Sequence, residues 1–156
     1  MLLASSYAGI GFGNAGVHLP HGMSYPVSGL NRGYRAPGYD AVDHPLIPHG
    51  ISVIINAPAV FRFTAQADPE RHLEAARILG ADVSRAKPED AGAILSDCLI
   101  QIMHDLNLPT HLSELGYTAS DIPDLVAGTL PQHRVTKLSP RPASPEDLAR
   151  LFEETL

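Results

Sequence analysis

Four of the eight histidines in this chain of 156 residues lie between residues 18 and 49. They are His18, His21, His44 and His49, and few charged residues surround them. Neutral imidazole is a common ligand of iron and zinc, and a metal site needs several such groups brought together from different segments. This cluster is the strongest chemical signal in the sequence and makes the segment a candidate site for a divalent metal.

The other four histidines show no such grouping. They are His72, His104, His111 and His133, and each lies among charged residues on a predicted polar helix face or in a loop. We expect them to be hydrogen-bonded within the protein or exposed to solvent. Among the clustered histidines, His18 and His44 are candidates for a supporting role beside the ligands.

Two short motifs surround the clustered histidines. Residues 21–26 read His-Gly-Met-Ser-Tyr-Pro, and on a helix His21 and Tyr25 would share one face, four residues apart. Pro26 cannot donate a backbone hydrogen bond and would disturb that helix. The second motif is Pro-His-Gly around His49. We expect a kinked helix beside a cleft.

A third motif matches the consensus sequence of a nucleotide-binding loop but lacks the flanking elements that such a loop needs. Residues 11–16 match the G-x-G-x-x-G fingerprint, which needs a buried strand before it and a helix after it. The ten residues that precede Gly11 are rich in alanine, serine and glycine. We therefore interpret these glycines as small residues that let a helix approach its neighbours closely.

The second half of the chain has the pattern of a helical bundle. Capping residues and prolines predict helix starts at Asp68, near Pro88, and at Thr110, Ser120 and Ser144.

The helix that begins near Pro88 has a wide apolar stripe that ends at Leu106, and we expect the two helices after it to pack on this stripe. Residues 134–143 are expected to form an extended connector. Residues 51–63 fit a strand or a helix equally well by pattern.

Composition excludes several classes of protein. The formal net charge is −6, so no basic surface for nucleic acid is expected. No apolar stretch approaches the roughly 20 residues of a membrane span. Cys98 is the single cysteine, which rules out an internal disulfide and is compatible with a reducing compartment. We expect one folded unit located in the cytoplasm, or in the mitochondrion if the source is eukaryotic.

Several segments of the chain resemble the C-terminal half of the iron-containing alcohol dehydrogenases. The resemblance is carried by residues 13–16, 21–26 and 48–50. Longer runs are similar to the hydroxyacid-oxoacid transhydrogenase branch of that family, namely residues 7–30, 43–46, 63–66, 128–132 and 134–138.

This resemblance implies an all-α, multihelical bundle similar to the C-terminal domain of the dehydroquinate synthase-like fold, with residues 1–156 as one metal-binding domain and residues 51–63 helical. It implies that His21 and His49 are metal ligands. Tyr25 occupies a position where many members have a histidine near the nicotinamide. Tyr25 is our candidate catalytic residue, and it could donate a hydrogen bond or only line the pocket.

The resemblance also implies a function for the complete enzyme. A divalent metal, iron or zinc, would polarise the oxygen of an alcohol or small hydroxy acid, and hydride would pass to or from NAD. In the family an N-terminal nucleotide-binding domain supplies the other metal ligands, and that domain is absent from these residues. We expect the chain to be inactive alone.

Two further expectations concern the isolated chain. The face that bears Gly13, His21, Pro26 and His49 would be exposed without the other domain, so we expect a homo-oligomer. The alternative function is a non-catalytic helical binding or assembly module. An independent metallohydrolase is a weaker hypothesis, because no H-E-x-x-H helix or nucleophile-base arrangement is present.

Overall fold

The protein is all-helical in a computed structural model that describes all 156 residues. The nine α-helices are α1 (Leu2–Ala15), α2 (Leu19–Gly29), α3 (His49–Ile54), α4 (Ala57–Thr64), α5 (Pro69–Ile78), α6 (Ala91–Asp105), α7 (Ile122–Thr129), α8 (His133–Thr136) and α9 (Pro145–Thr155). Short 3-10 helices lie at Ala65–Ala67, Pro88–Asp90, Leu112–Leu115 and Ala119–Asp121. The all-α prediction is confirmed.

No helix combines the length and the apolar character that crossing a bilayer requires. The longest, α6, has 15 residues. The only β pairing is an isolated bridge between Arg35 and Leu46 in the segment that joins α2 to α3. Residues 51–63, which the pattern left open between strand and helix, belong to α3 and α4 and are helical.

The main hydrophobic core lies where α2 meets α4, α7 and α9. Its largest fully buried side chains include Met23, Tyr117, Leu125 and Phe152. The hydroxyl of Tyr117 donates to the carbonyl of Val27, 2.5 Å away, and burial raises the pKa of Tyr117 to about 12. This hydrogen bond ties the loop before α7 to the last turn of α2.

A second layer is formed by α4, α5 and α6. Helix α6 passes very close to α4, because a Cβ atom at Gly92 would lie 2.9 Å from the Cα of Arg62. The predicted N-caps of two helices in this half are confirmed. The carboxylate of Asp68 accepts from the backbone of Arg71, and Ser144 accepts from the backbone of Asp147.

The predicted packing around α6 is wrong in two respects. Leu106, which ends the predicted stripe, is 62% exposed, whereas the small residues Gly92 and Ser96 are buried. The helices that follow do not pack extensively on α6, since α7 contacts α2 and α9 instead. Small residues, which a hydrophobic pattern does not count, form the inner face of this helix together with Leu95 and Met103.

Two boundaries also differ from the prediction. Residues 133–136 form the short helix α8, so the segment 134–143 is not wholly an extended connector. Ser120 lies inside a 3-10 turn that is capped by Thr118 and Asp121, and α7 starts at Ile122. Both differences are shifts at element ends, where local capping contacts decide the boundary.

Helix α1 overturns our interpretation of the glycine motif in part. Residues 2–15 are continuous helix, so no nucleotide-binding loop forms at residues 11–16. However, a Cβ atom at Gly9, Gly11 or Gly13 would meet nothing within 4 Å, and α1 has no buried residue. The glycines therefore do not permit close packing against another helix of this chain.

Candidate metal centre

Helix α2 carries the first candidate ligand. Pro20 lies in its first turn, where the missing N–H costs no helical hydrogen bond. On the inward side of α2, Leu19, Met23 and Val27 are buried in the core. This packing fixes the rotation of α2 about its axis and leaves His21 half-buried at the edge of the molecule.

Helix α3 carries the second candidate ligand. Pro48 is extended, with φ of −55° and ψ of 143°, and His49 is the first helical residue after it. The Ser52 hydroxyl donates to the carbonyl of His49 at 2.9 Å, which helps to hold this first turn. Because α3 packs directly on α2, His49 is brought beside His21 although the two are 28 positions apart in the sequence.

The imidazole rings of His21 and His49 meet edge to face. Their centroids are 5.3 Å apart and their planes are inclined by 64°. Neither ring makes a hydrogen bond to another protein group. Burial, and then the neighbouring His49, lowers the pKa of His21. The neutral imidazole, which is the form that binds metals, is therefore favoured at His21.

The spacing of this pair fits shared binding of one metal ion. Two imidazole nitrogens bound tetrahedrally to zinc or iron at about 2.1 Å place their ring centres roughly 5 Å apart. The observed centroid distance of 5.3 Å agrees with that value. No group of three or more histidine, cysteine or acidic side chains converges in this structure. The chain thus offers a pair of donors at this site.

His18 lies next to this pair but makes different contacts. Its ring packs edge-on against Phe61, with centroids 6.1 Å apart, and its Nδ1 atom is buried without a hydrogen-bond partner. Burial, followed by the charges of His21 and His72, lowers the pKa of His18. These contacts place His18 behind His21, on the side towards α4.

His44 is not brought to the pair. It is exposed in the loop between α2 and α3, where its Nδ1 lies 3.0 Å from a carboxylate oxygen of Asp43. It makes no ring contact with His21 or His49. No contact in this structure therefore supports a role for His44 beside the metal.

Tyr25 lies one helical turn beyond His21 on α2 and is 38% exposed. Its hydroxyl oxygen accepts a hydrogen bond from Nη2 of Arg134, at 3.4 Å. Sequence reasoning did not identify Arg134 as a site residue. Its position in the run 134–138, one of the segments shared with the transhydrogenase branch, was the available signal.

The remaining histidines serve the scaffold or face solvent. His72 is buried rather than on a polar face, because its Nε2 lies 2.9 Å from the Thr64 hydroxyl and its Nδ1 lies 2.7 Å from the carbonyl of Asp68. The expectation of a hydrogen-bonded histidine is confirmed there, whereas the expected location is wrong. His104, His111 and His133 are exposed.

The face expected to drive self-association is only partly exposed. Pro26 is buried against α7. A Cβ atom at Gly128 of α7 would lie only 2.7 Å from the Cβ atom of Pro26. Gly13 and His49 are exposed. Large exposed apolar side chains are instead concentrated on α1, at Leu2, Leu3, Tyr7, Ile10 and Phe12. The homo-oligomer stays a prediction.

Comparison with known families assigns the whole chain to one family. Residues 1–156 match the model described as Fe-containing alcohol dehydrogenase family, C-terminal. The chain therefore belongs to the iron-containing alcohol dehydrogenase family. Its fold is similar to that of an alcohol dehydrogenase from Oenococcus oeni, with a TM-score of 0.78 and 25% identity, over 96% of this chain and 35% of that one.

The curated relatives that match are named as hydroxyacid-oxoacid transhydrogenases. The chain is 63% identical over its whole length to the mitochondrial hydroxyacid-oxoacid transhydrogenase of Xenopus laevis, of which it covers 34%. It is 61% identical to the protein of the same name from Homo sapiens, of which it covers 33%. The chain thus spans about a third of the length of the curated relatives it matches.

Proposed function

We propose that this chain supplies the metal-binding part of an NAD-linked oxidoreductase that moves hydride between a small hydroxy acid or alcohol and its oxo form. His21 and His49 are the proposed metal ligands. The observation that carries the proposal is the meeting of these two imidazoles, 5.3 Å apart, from different helices. The names of the relatives support the hydroxy acid as substrate and a mitochondrial location in a eukaryotic source.

The residues of this chain have separate tasks in the proposed reaction. His21 and His49 hold a divalent ion, iron by family or zinc by ligand type, at the surface of α2 and α3. An ion bound there supplies Lewis-acid chemistry, which lowers the pKa of a substrate hydroxyl beside it. Tyr25 is one turn away on the same face of α2 and lines the space that the substrate would occupy.

In this proposal, another domain supplies the rest of the active site. Two imidazoles alone leave at least two positions of a tetrahedral ion open, and one of these must be available to the substrate. We propose that an N-terminal nucleotide-binding domain of the family type supplies the remaining ligands and binds NAD. A metal held by His21 and His49 would then face that domain from the surface formed by α2 and α3.

Metal binding by the purified 156-residue chain tests the proposed ligands. We expect His21→Ala and His49→Ala each to weaken the affinity for zinc or ferrous iron on the order of 100-fold, because loss of a direct ligand should cost at least as much as loss of a residue that only orients one. His104→Ala is the matched control, since His104 is exposed and its ring contacts neither His21 nor His49. Equal affinities in all variants would exclude His21 and His49 as ligands.

The two-donor site also favours a second candidate, a non-catalytic helical binding or assembly module, because the chain by itself lacks a third metal ligand. Hydride transfer by the natural full-length polypeptide separates the two. The oxidoreductase predicts reduction of NAD by a small hydroxy acid or alcohol that is lost in His49→Ala. The module predicts no turnover before or after the substitution.

A further inference from the structure

Helix α8 is held tightly against the outward part of α2. A Cβ atom at Gly22 would lie only 2.5 Å from Cγ2 of Thr136, so glycine is required for this approach. Val135, on the same short helix, is buried against α2. These contacts fix the backbone directly after Arg134, whose side chain lies next to Tyr25.

Arg134 has no acidic partner. Four other arginines form ion pairs with carboxylates, namely Arg32, Arg62, Arg71 and Arg150. The guanidinium of Arg134 is exposed and makes a single side-chain hydrogen bond, to the hydroxyl oxygen of Tyr25. Most of its five N–H groups are therefore free to bind an anion.

The hydroxyl of Tyr25 completes a pair of donors. Its oxygen accepts from Arg134, so its own proton is left without an acceptor in the protein. A guanidinium and a hydroxyl that both point donors at the same surface match the two oxygens of a carboxylate. A neutral alcohol group carries no negative charge and would leave the positive charge of the guanidinium unpaired.

This donor pair lies at a suitable distance from the candidate metal ligands. His21 and Tyr25 are four residues apart on α2, which corresponds to about 6 Å along the helix axis and to the same face. One small molecule can therefore reach both places, with its hydroxyl near His21 and its carboxylate near Tyr25. Asp124 and Tyr25 line one groove that Arg134 does not line, and the charge of Asp124 disfavours a carboxylate in that groove.

We propose that Arg134, together with Tyr25, binds the substrate carboxylate and selects hydroxy acids over neutral alcohols. This inference rests on the proposed function and names the substrate class of that same site. Arg134 supplies the charge, and Tyr25 orients the guanidinium and donates the second hydrogen bond. The relatives named for a hydroxy acid and an oxo acid are consistent with a carboxylate-binding group.

Kinetics of the natural full-length protein test this selectivity. The measured quantity is the ratio of kcat/KM for a small hydroxy acid to kcat/KM for the matching hydroxy amide, which has the same shape without the charge. Arg134→Gln should lower this ratio about 30-fold, as expected for loss of a charge-assisted hydrogen bond, and Tyr25→Phe about fivefold. The control Arg77→Gln removes an exposed arginine of α5 that has no side-chain partner, and should leave the ratio unchanged.

Equilibrium binding gives a readout that does not depend on turnover. Calorimetry with butyrate and butyramide should show that the unsubstituted protein prefers butyrate and that Arg134→Gln removes the preference. Equal losses for acid and amide, or no loss for either, would overturn the role of Arg134. A protein that binds butyrate through Arg134 but never transfers hydride would instead overturn the proposed function while supporting the carboxylate site.

Discussion

The two faces of α2 differ in what their side chains contact. On the inward face, Leu19, Met23 and Val27 are at most 1% exposed and belong to the main core. On the outward face, His21 makes no hydrogen bond, and the hydroxyl of Tyr25 has a proton without an acceptor. One helix thus combines a fully packed side with a side whose polar groups are left unsatisfied, which is the arrangement expected when binding is added to a rigid scaffold.

The contrast extends to the histidines. Both ring nitrogens of His72 have partners within the protein, so its imidazole contributes to the scaffold between α4 and α5. The rings of His21 and His49 contact each other and have no such partners. Hydrogen bonding of the ring separates the structural His72 from the candidate ligands His21 and His49.

The largest expected effect comes from breaking the inward face. Met23→Ala should reduce the free energy of unfolding by about 2 to 5 kcal/mol, because it leaves a cavity in a fully buried position. His21→Ala, two positions earlier on the outward face, should change it by less than about 0.5 kcal/mol. Urea denaturation of both variants measures the difference. Similar losses of unfolding free energy in the two variants would show that the outward face of α2 contributes to stability as much as the inward face does.

A smaller effect is expected where α8 meets α2. Gly22→Ala would push a methyl group against Thr136 and should destabilise the fold by about 1 to 3 kcal/mol, although alanine favours helix. Gly29→Ala is the matched control on the same helix, since a Cβ atom there meets nothing within 4 Å. Thermal unfolding of the two variants should move in opposite directions. A stabilised Gly22→Ala would mean that α8 can shift, which would also loosen the position of Arg134.

The smallest expected change in stability comes from removing the hydrogen bond between Tyr117 and the carbonyl of Val27 on α2. Tyr117→Phe leaves the carbonyl of Val27 without its partner and should cost about 1 kcal/mol at neutral pH. The pKa of Tyr117 is raised from 10.0 to about 12 in the folded protein. The stability that this shift contributes is therefore fully present below pH 10 and is lost as the pH rises towards 12.

Denaturation of wild type and Tyr117→Phe between pH 9 and 12 checks the sign of this effect. The stability difference between the two proteins should shrink as the pH rises, because only the wild type loses the contribution of the protonated phenol. A difference that stays constant over this range would indicate that Tyr117 titrates in the folded protein as it does in the unfolded chain.

Local signals in the sequence predicted the helices better than their packing. The caps at Asp68 and Ser144 depend on neighbours three residues away, and both are present as predicted. The inner face of α6 was misassigned in part, because Gly92 and Ser96 are not hydrophobic, although one permits close approach of α4 and the other accepts a hydrogen bond from Arg62. Such contacts depend on residues far away in the sequence.

The same limit applies to the candidate site. His21 and His49 were proposed from family resemblance, and the packing of α3 on α2 explains how they meet. Arg134 lies in a run that resembles the transhydrogenase branch, but its position beside Tyr25 depends on the contact between Gly22 and Thr136, 114 positions apart. Spacing predicts groups on one helix face, whereas groups on different helices require the fold.

The exposed helix α1 has a consequence for the dynamics of the chain. Three interior glycines cost such a helix about 3 kcal/mol relative to alanine, and isolated helices of this length are only marginally stable in water. Because α1 buries no residue, no tertiary contact offsets that cost within these residues. Residues 2–15 are therefore expected to unfold locally at a low free-energy cost, and they can fray and reform while α2 keeps His21 in place.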